Sequence, residues 1–438
     1  MIIRNGTIVN WNGMKKADLY IELGKIRQIK PGIKMKGREE VIDATGCYII
    51  PGMMDAHVHL RDFKEIAKED FFTGTSAALA GGVTSVIDMP NNSLPTISLA
   101  ALEAKKLVFS RKAACNMGFH FGATNSNFLD AKIAMEDSSI AGLKIYMGSS
   151  TGSLLVDDFS AFYRHLQNFR KTIVLHAEDE HAIRHFSREL EGTSAAHHGK
   201  IRNATVAELA VSRAISTAEK TRAKIHIAHV STSRELELIK AARKKIRISC
   251  EVTPHHLFLD DSFVRKNGNF GKVNPPLRNK QEVAALWSAL RSNNIDILAT
   301  DHAPHLREEK EKTYSEAPSG MPELDTALLM MLDAVSKKRL TLQKLVSLYS
   351  YSPSKIFKIR GKGEISVGKD ADLVVVNLKK ATKISRERLF TKCQWSPYEG
   401  LEVRGKIEKT ILAGNIAFDG ESIYSRMGEG KLLEFGKH

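Results

Sequence analysis

The chain lacks the marks of several large protein classes. Its four cysteines, Cys47, Cys115, Cys250 and Cys393, are widely spaced and form no Cys-x-x-Cys pair. They read as reduced core thiols and argue against a cysteine-built zinc site. No apolar run approaches the ~18 residues of a transmembrane helix. The start, Met1-Ile2-Ile3-Arg4-Asn5-Gly6, lacks the basic, apolar and small-residue segments of a signal peptide, so a soluble, cytoplasmic protein is expected. No Gly-x-Gly-x-x-Gly or Walker motif supports a nucleotide site. There is no internal repeat and no low-complexity segment.

What is present is a chain of 438 residues, 42% hydrophobic and 26% charged. That is enough for a large core, and single α/β barrels routinely exceed about 250 residues. The formal net charge is +15. The basic residues fall in short clusters, Lys105-Lys106, Arg243-Lys244-Lys245, Lys337-Lys338-Arg339 and Lys379-Lys380. None is interleaved with aromatics and no contiguous basic stripe emerges, so no nucleic-acid partner is expected. An anionic small molecule would gain modestly from the field.

Residues 1 to about 50 read as short strands with tight turns: Ile2-Ile3-Arg4, Thr7-Ile8-Val9, Asp18–Ile21 and Ile26–Ile29, with Asn5-Gly6 and Asn12-Gly13 as hairpin-type turns. The texture returns at Gly363-Glu364-Ile365, Ala371–Val376 and Lys409–Leu412, the last followed by the turn Ala413-Gly414-Asn415. The two ends are expected to pair into one small β-sandwich over residues 1–51 and 361–438.

Between them, over 52–360, strands alternate with helices. The predicted strands are Gly52–His57, Val83–Met89, Met117–Ala123, Leu143–Met147, Thr172–His176, Lys224–His229, Arg247–Val252 and Ile295–Thr300. Helical patterns such as Phe71–Ala80, Ser98–Arg111, Asp158–Phe169, Ala204–Glu219, Ser233–Ala242 and Lys280–Ser292 separate them. Eight such units predict an α/β fold, a (β/α)8 TIM barrel with its site at the C-terminal strand ends. A doubly wound open sheet is the competing architecture.

The predicted strand ends carry the chemistry. The first ends in His57-Val58-His59-Leu60-Arg61, where the two-residue period of a strand points both imidazoles and the guanidinium the same way. The others bring Met89-Pro90-Asn91, Lys144, His176, His229 and Asp301-His302-Ala303-Pro304-His305. Imidazole and carboxylate suit zinc, and a two-metal centre wants a bridging anion. A buried lysine with a depressed pKa can take up carbon dioxide and become such an anion, a carbamate. The alternative is a lysine paired with Asp301 or Glu178. A metal also lowers the pKa of its water from about 15.7 towards ~7, and Asp301 can bind the first metal and act as general base and acid.

These motifs, together with Lys272-Val273-Asn274-Pro275-Pro276-Leu277-Arg278, resemble the amidohydrolase superfamily, and within it the dihydroorotase family, over nearly the full length. The resemblance implies two Zn2+ per subunit: one on His57, His59, Lys144 and Asp301, the other on carboxylated Lys144, His176 and His229. It implies that Arg61, Asn91 and His305 hold a substrate carboxylate and that Asn274 contacts the ring. Ala317-Pro318-Ser319-Gly320 is also family-like, and its backbone is expected to line the ring. The implied reaction is the reversible hydrolysis of (S)-dihydroorotate to N-carbamoyl-L-aspartate in pyrimidine biosynthesis. A hydroxide bridging the zinc ions would attack, with Asp301 as catalytic base and acid. A homodimer and association with aspartate transcarbamoylase stay open.

Arg61 carries the argument for an acidic substrate, since relatives opening uncharged rings do not typically keep an arginine there. Its alternative is a structural pairing with Asp62 or Glu65. The family usually continues Arg-Glu-Pro, whereas this chain reads Arg61-Asp62-Phe63, a change expected to loosen the turn. The segment Thr193 to Asn203 reads as a loop near the site or a plain surface loop, with His197 and His198 not ligands. Competing readings are an allantoinase- or hydantoinase-like ring amidase, a non-catalytic scaffold homologue and, distantly, a nucleic-acid binder.

Overall fold

The computed structural model describes residues 1–35, 37–149, 154–190 and 194–436; Thr193 lies outside them. Eight parallel strands form one sheet in chain order: β1 (Met53–Val58), β2 (Val83–Asp88), β3 (Asn116–Gly122), β4 (Ile140–Tyr146), β5 (Thr172–His176), β6 (Lys224–Ile227), β7 (Arg247–Val252) and β8 (Ile297–Leu298). All eight predicted strands are present. β1 to β5 are buried along their whole length, as expected of parallel strands covered on both faces.

The sheet closes on itself between β8 and β1. Val58 bridges His302 in parallel, and the His59 N–H donates to the His302 carbonyl at 2.8 Å. Asp55 on β1 accepts from the Thr300 N–H at 3.1 Å and from the Tyr349 hydroxyl at 2.7 Å. The open-sheet alternative is thereby excluded. Helices Phe71–Ala80 and Ser233–Ala242 fall where their periodicity places them, each opened by a reciprocal side-chain cap, Asp70 with Thr73 and Thr232 with Glu235.

The chain ends build two facing sheets. One runs Lys25–Lys30, Asp18–Glu22, Ile2–Arg4, Val41–Asp43. The other runs Asn415–Phe418, Glu402–Leu412, Leu373–Lys383, Tyr48–Pro51, Thr7–Asn10, Gly13–Lys16. Ile3, Ile8, Leu19, Ile49, Val375 and Ile411 fill the space between them. Tyr48–Pro51 pairs antiparallel with Leu373–Lys383, so one sheet holds both ends of the chain. Only Gly52 separates that sheet from β1.

Two expectations fail here. Asn5-Gly6 is no hairpin: Ile2–Arg4 pairs with Asp18–Glu22 and Val41–Asp43, whereas Thr7–Asn10 belongs to the other sheet. The chain crosses between sheets there, and a Cβ on Gly6 would come within 2.6 Å of Ile49. Gly363-Glu364-Ile365 is no strand, because the Asn10 side-chain amide takes the place of a neighbouring strand. It donates to the Ile365 carbonyl at 2.9 Å and accepts from the Ile365 N–H at 2.8 Å. Asn12-Gly13 and Ala413-Gly414 do close hairpins.

Gly142 on β4 faces the β5 backbone, where an added Cβ would lie 2.1 Å from the Thr172 carbonyl oxygen. Gly142→Ala should therefore destabilise the fold by about 1–3 kcal/mol or more, read as a lower denaturant midpoint. Gly13→Ala, with nothing within 4 Å of its Cβ, should leave the midpoint in place.

Candidate metal centre

The strand ends converge. His57 and His59 stand at the end of β1, His176 closes β5, and His229 and Asp301 follow β6 and β8 in left-handed backbone, φ 36° and 50°. The His59 Nε2 lies 2.9 Å and the His57 Nε2 3.3 Å from Asp301 Oδ1. His176 Nδ1 faces His229 Nε2 at 3.0 Å. Ligand atoms of His57, His229 and Asp301 all lie within 4.8 Å of one another.

Acceptors behind the rings assign their tautomers. Glu251 accepts from His57 Nδ1, from His226 Nε2 at 3.0 Å and from the His229 backbone N–H at 3.2 Å. The Asn91 Oδ1 accepts from His59 Nδ1 at 2.6 Å, and Glu178 from His176 Nε2 at 3.0 Å. Each ring then turns a lone pair inward, His57 and His59 through Nε2 and His176 through Nδ1. Asp301 Oδ1 therefore faces the Nε2 lone pairs of both His57 and His59. Lone pairs and a carboxylate oxygen crowded this closely repel unless a cation joins them.

Lys144 is fully buried, and its Nζ has no hydrogen-bond partner among the described residues. Burial lowers its pKa to about 8. The alternative pairings are not made: Asp301 contacts the histidines, and Glu178 accepts from His176 and from Arg202 at 2.5 Å. A partnerless buried amine, inward imidazoles and an ionised carboxylate form a donor set that fits divalent cations.

Beside this cluster, Arg61 donates through Nε to the Pro304 carbonyl at 3.1 Å, and its Nη2 lies 2.9 Å from His305 Nε2. It makes no ion pair with Asp62 or Glu65; Asp62 is held by Lys112 at 3.0 Å and Glu65 by Lys68. Arg61, Asp62 and Phe63 all have positive φ, 56°, 58° and 53°, which costs non-glycine residues roughly 1–3 kcal/mol each. A proline could not adopt that φ at position 63. The turn is not left loose: Asp62 also accepts from the Phe63 and Phe71 N–H groups. Asn274 joins Arg61, Asn91, Ser319 and Gly320 around a small cavity next to His59 and Asp301.

His198, within the segment read as a loop, is buried against Asn274 Oδ1 at 2.8 Å and the Tyr314 hydroxyl at 2.7 Å. It fastens Asn274 and stands apart from the cluster. Sequence reasoning missed Glu251. Its one visible signal was a carboxylate near the end of the predicted strand Arg247–Val252, and only the neighbouring strands show what it holds.

A closed parallel barrel with imidazoles and a carboxylate gathered at its strand ends is the architecture of a barrel hydrolase with a site able to hold divalent metal. The amidohydrolase family model matches residues 48–417, and the chain belongs to that family. A dihydroorotase of Methanosarcina mazei is 35% identical over 99% of this chain and 97% of its own length. One of Methanosphaera stadtmanae is 37% identical over 94% and 95%. Among solved structures, the L-hydantoinase (dihydropyrimidinase) of Arthrobacter aurescens superposes with TM-score 0.94 at 28% identity, covering 99% of both chains. The expectation of a cyclic amide hydrolase stands on these matches. Among the described residues, no helix is long and apolar enough to cross a membrane.

Glu251→Gln keeps size while weakening the acceptor behind His57 and His229. Divalent-metal affinity, measured by chelator competition, should fall about 10- to 100-fold with the fold intact by circular dichroism. Unchanged affinity would show that Glu251 does not orient the site.

Proposed function

We propose that the chain catalyses the reversible hydrolysis of dihydroorotate to N-carbamoyl-L-aspartate with two zinc ions. Arg61 carries this reading: a guanidinium buried beside His305 and the cavity at the cluster, with no carboxylate of its own among the described residues. Such a group suits an acidic ring substrate, which it grips as a charged hydrogen-bond donor. The backbone likeness to a hydantoinase does not discriminate, because one barrel serves both rings and selectivity rests in side chains.

In this reading His57, His59, Lys144 and Asp301 would hold one ion, and carboxylated Lys144, His176 and His229 would hold the other. Zinc, when bound, acidifies water and polarises a carbonyl. The Lys144 amine, deprotonated at modest cost, would add carbon dioxide and release a proton to water, leaving a carbamate whose carboxylate would serve as a ligand. Arg61, Asn91 and His305 fix the substrate carboxylate, and Asn274, steadied by His198, meets the ring. As water adds to the ring carbonyl carbon, Asp301 takes its proton. When the carbon–nitrogen bond breaks, Asp301 returns that proton to the leaving nitrogen. The reverse sequence closes the ring and releases water.

Arg61→Ala should lower kcat/KM for dihydroorotate about 10- to 150-fold, the equivalent of a charged hydrogen bond worth roughly 1.5–3 kcal/mol, while bound metal stays constant. Parallel loss of metal would make Arg61 structural. Lys144→Ala should lose bound metal and turnover together; full activity in that variant would contradict the bridge.

A further inference from the structure

The left-handed turn Arg61–Phe63 is held from outside by one helix. Lys105 and Lys112 lie two turns apart on helix Leu99–Lys112, hence on one face. Lys105 is fully buried. Its ammonium reaches Asp88 Oδ2 at 2.6 Å, the Met89 carbonyl at 2.9 Å and Asn92 Oδ1 at 2.8 Å. Two of these partners, Asp88 and Asn92, pass the contact on to the turn. Asp88 accepts from the Leu60 N–H at 2.8 Å, and the Asn92 amide donates to the Arg61 carbonyl at 2.5 Å. Lys112 grips both oxygens of Asp62 at 3.0 Å.

The residues before, at and after Arg61 are thus anchored to a single rigid element. None of these anchors touches the imidazole cluster directly. Their common effect is on the path of the backbone at Arg61, and hence on where its guanidinium points. A left-handed run of three non-glycine residues persists only where its surroundings over-determine it. Here the surroundings are two lysines, an aspartate and an asparagine.

We propose that Lys105, acting through Asn92, and Lys112, acting through Asp62, are positioning residues that set the enzyme's preference for a carboxylate-bearing ring. This rests on the reading of Arg61 as the carboxylate anchor. The helix imposes the turn, the turn aims Arg61, and the gain appears as substrate affinity rather than as metal binding or proton transfer.

Lys105→Met would strand the buried Asp88 charge, so the gentler Asn92→Ala and Lys112→Met test the clamp, with Arg61→Ala as reference and Lys112→Arg as the conservative control. Each clamp variant should raise KM for dihydroorotate about 10- to 100-fold, with kcat and bound metal held. Lys112→Arg should restore KM. In an Arg61→Ala background the clamp substitutions should change KM by less than about twofold, since the group they aim is gone. If Arg61→Ala raises KM and the clamp variants do not, the clamp fails and the anchor stands. If Arg61→Ala has no effect on KM, both fail. Further loss in the Arg61→Ala background, or parallel loss of metal and kcat, would overturn the clamp by showing a general structural role.

Discussion

A close encounter of like-natured atoms organises this molecule. Imidazole lone pairs and an ionised carboxylate oxygen are forced within about a ligand sphere of one another, inside protein, beside an amine with no acceptor among the described residues. Such a cluster is tolerable only if surrounding groups fix every ring and if a positive charge can be shared. The barrel supplies both. Closure between β8 and β1 brings Asp301 over the first strand's histidines, and Glu251, Asn91 and Glu178 stand behind the rings to hold their tautomers.

From that centre the structure divides labour outward. In the proposed reading the histidine cluster and Lys144 define what chemistry is available, and Arg61 with its supports defines which ring is offered to it. In that reading a backbone within TM-score 0.94 of a hydantoinase serves another substrate because selectivity rests in side chains rather than in the barrel. The flanking sandwich is tied to the same frame, since only Gly52 separates the sheet that holds both chain ends from β1.

Much of this was legible in the chain itself. Parallel strands buried on both faces write themselves as apolar runs, so all eight were readable, and the alternation His57-Val58-His59-Leu60-Arg61 announced a shared face. Polar residues at strand ends marked the site because the barrel gathers those ends by topology. What stayed hidden depends on contacts between distant segments. Nothing local says that Glu251 accepts from His57, that His198 steadies Asn274, or that Lys112 holds Asp62. Asn5-Gly6 carries hairpin residues, yet its flanking strands find partners elsewhere, and Asn10 rather than a strand satisfies Ile365. The family's missing proline suggested a loose turn; the structure shows a left-handed one, closed to proline and tethered by charge.

A metal centre paired with a buried guanidinium is proposed to work on an anionic ring. The most direct measurement is the relative kcat/KM of the purified wild-type protein for dihydroorotate and for hydantoin, with zinc counted in the same sample. The account predicts turnover of dihydroorotate in large preference to hydantoin by protein carrying two zinc ions per chain. Preferential opening of hydantoin, or turnover of dihydroorotate by protein stripped of metal, would contradict it.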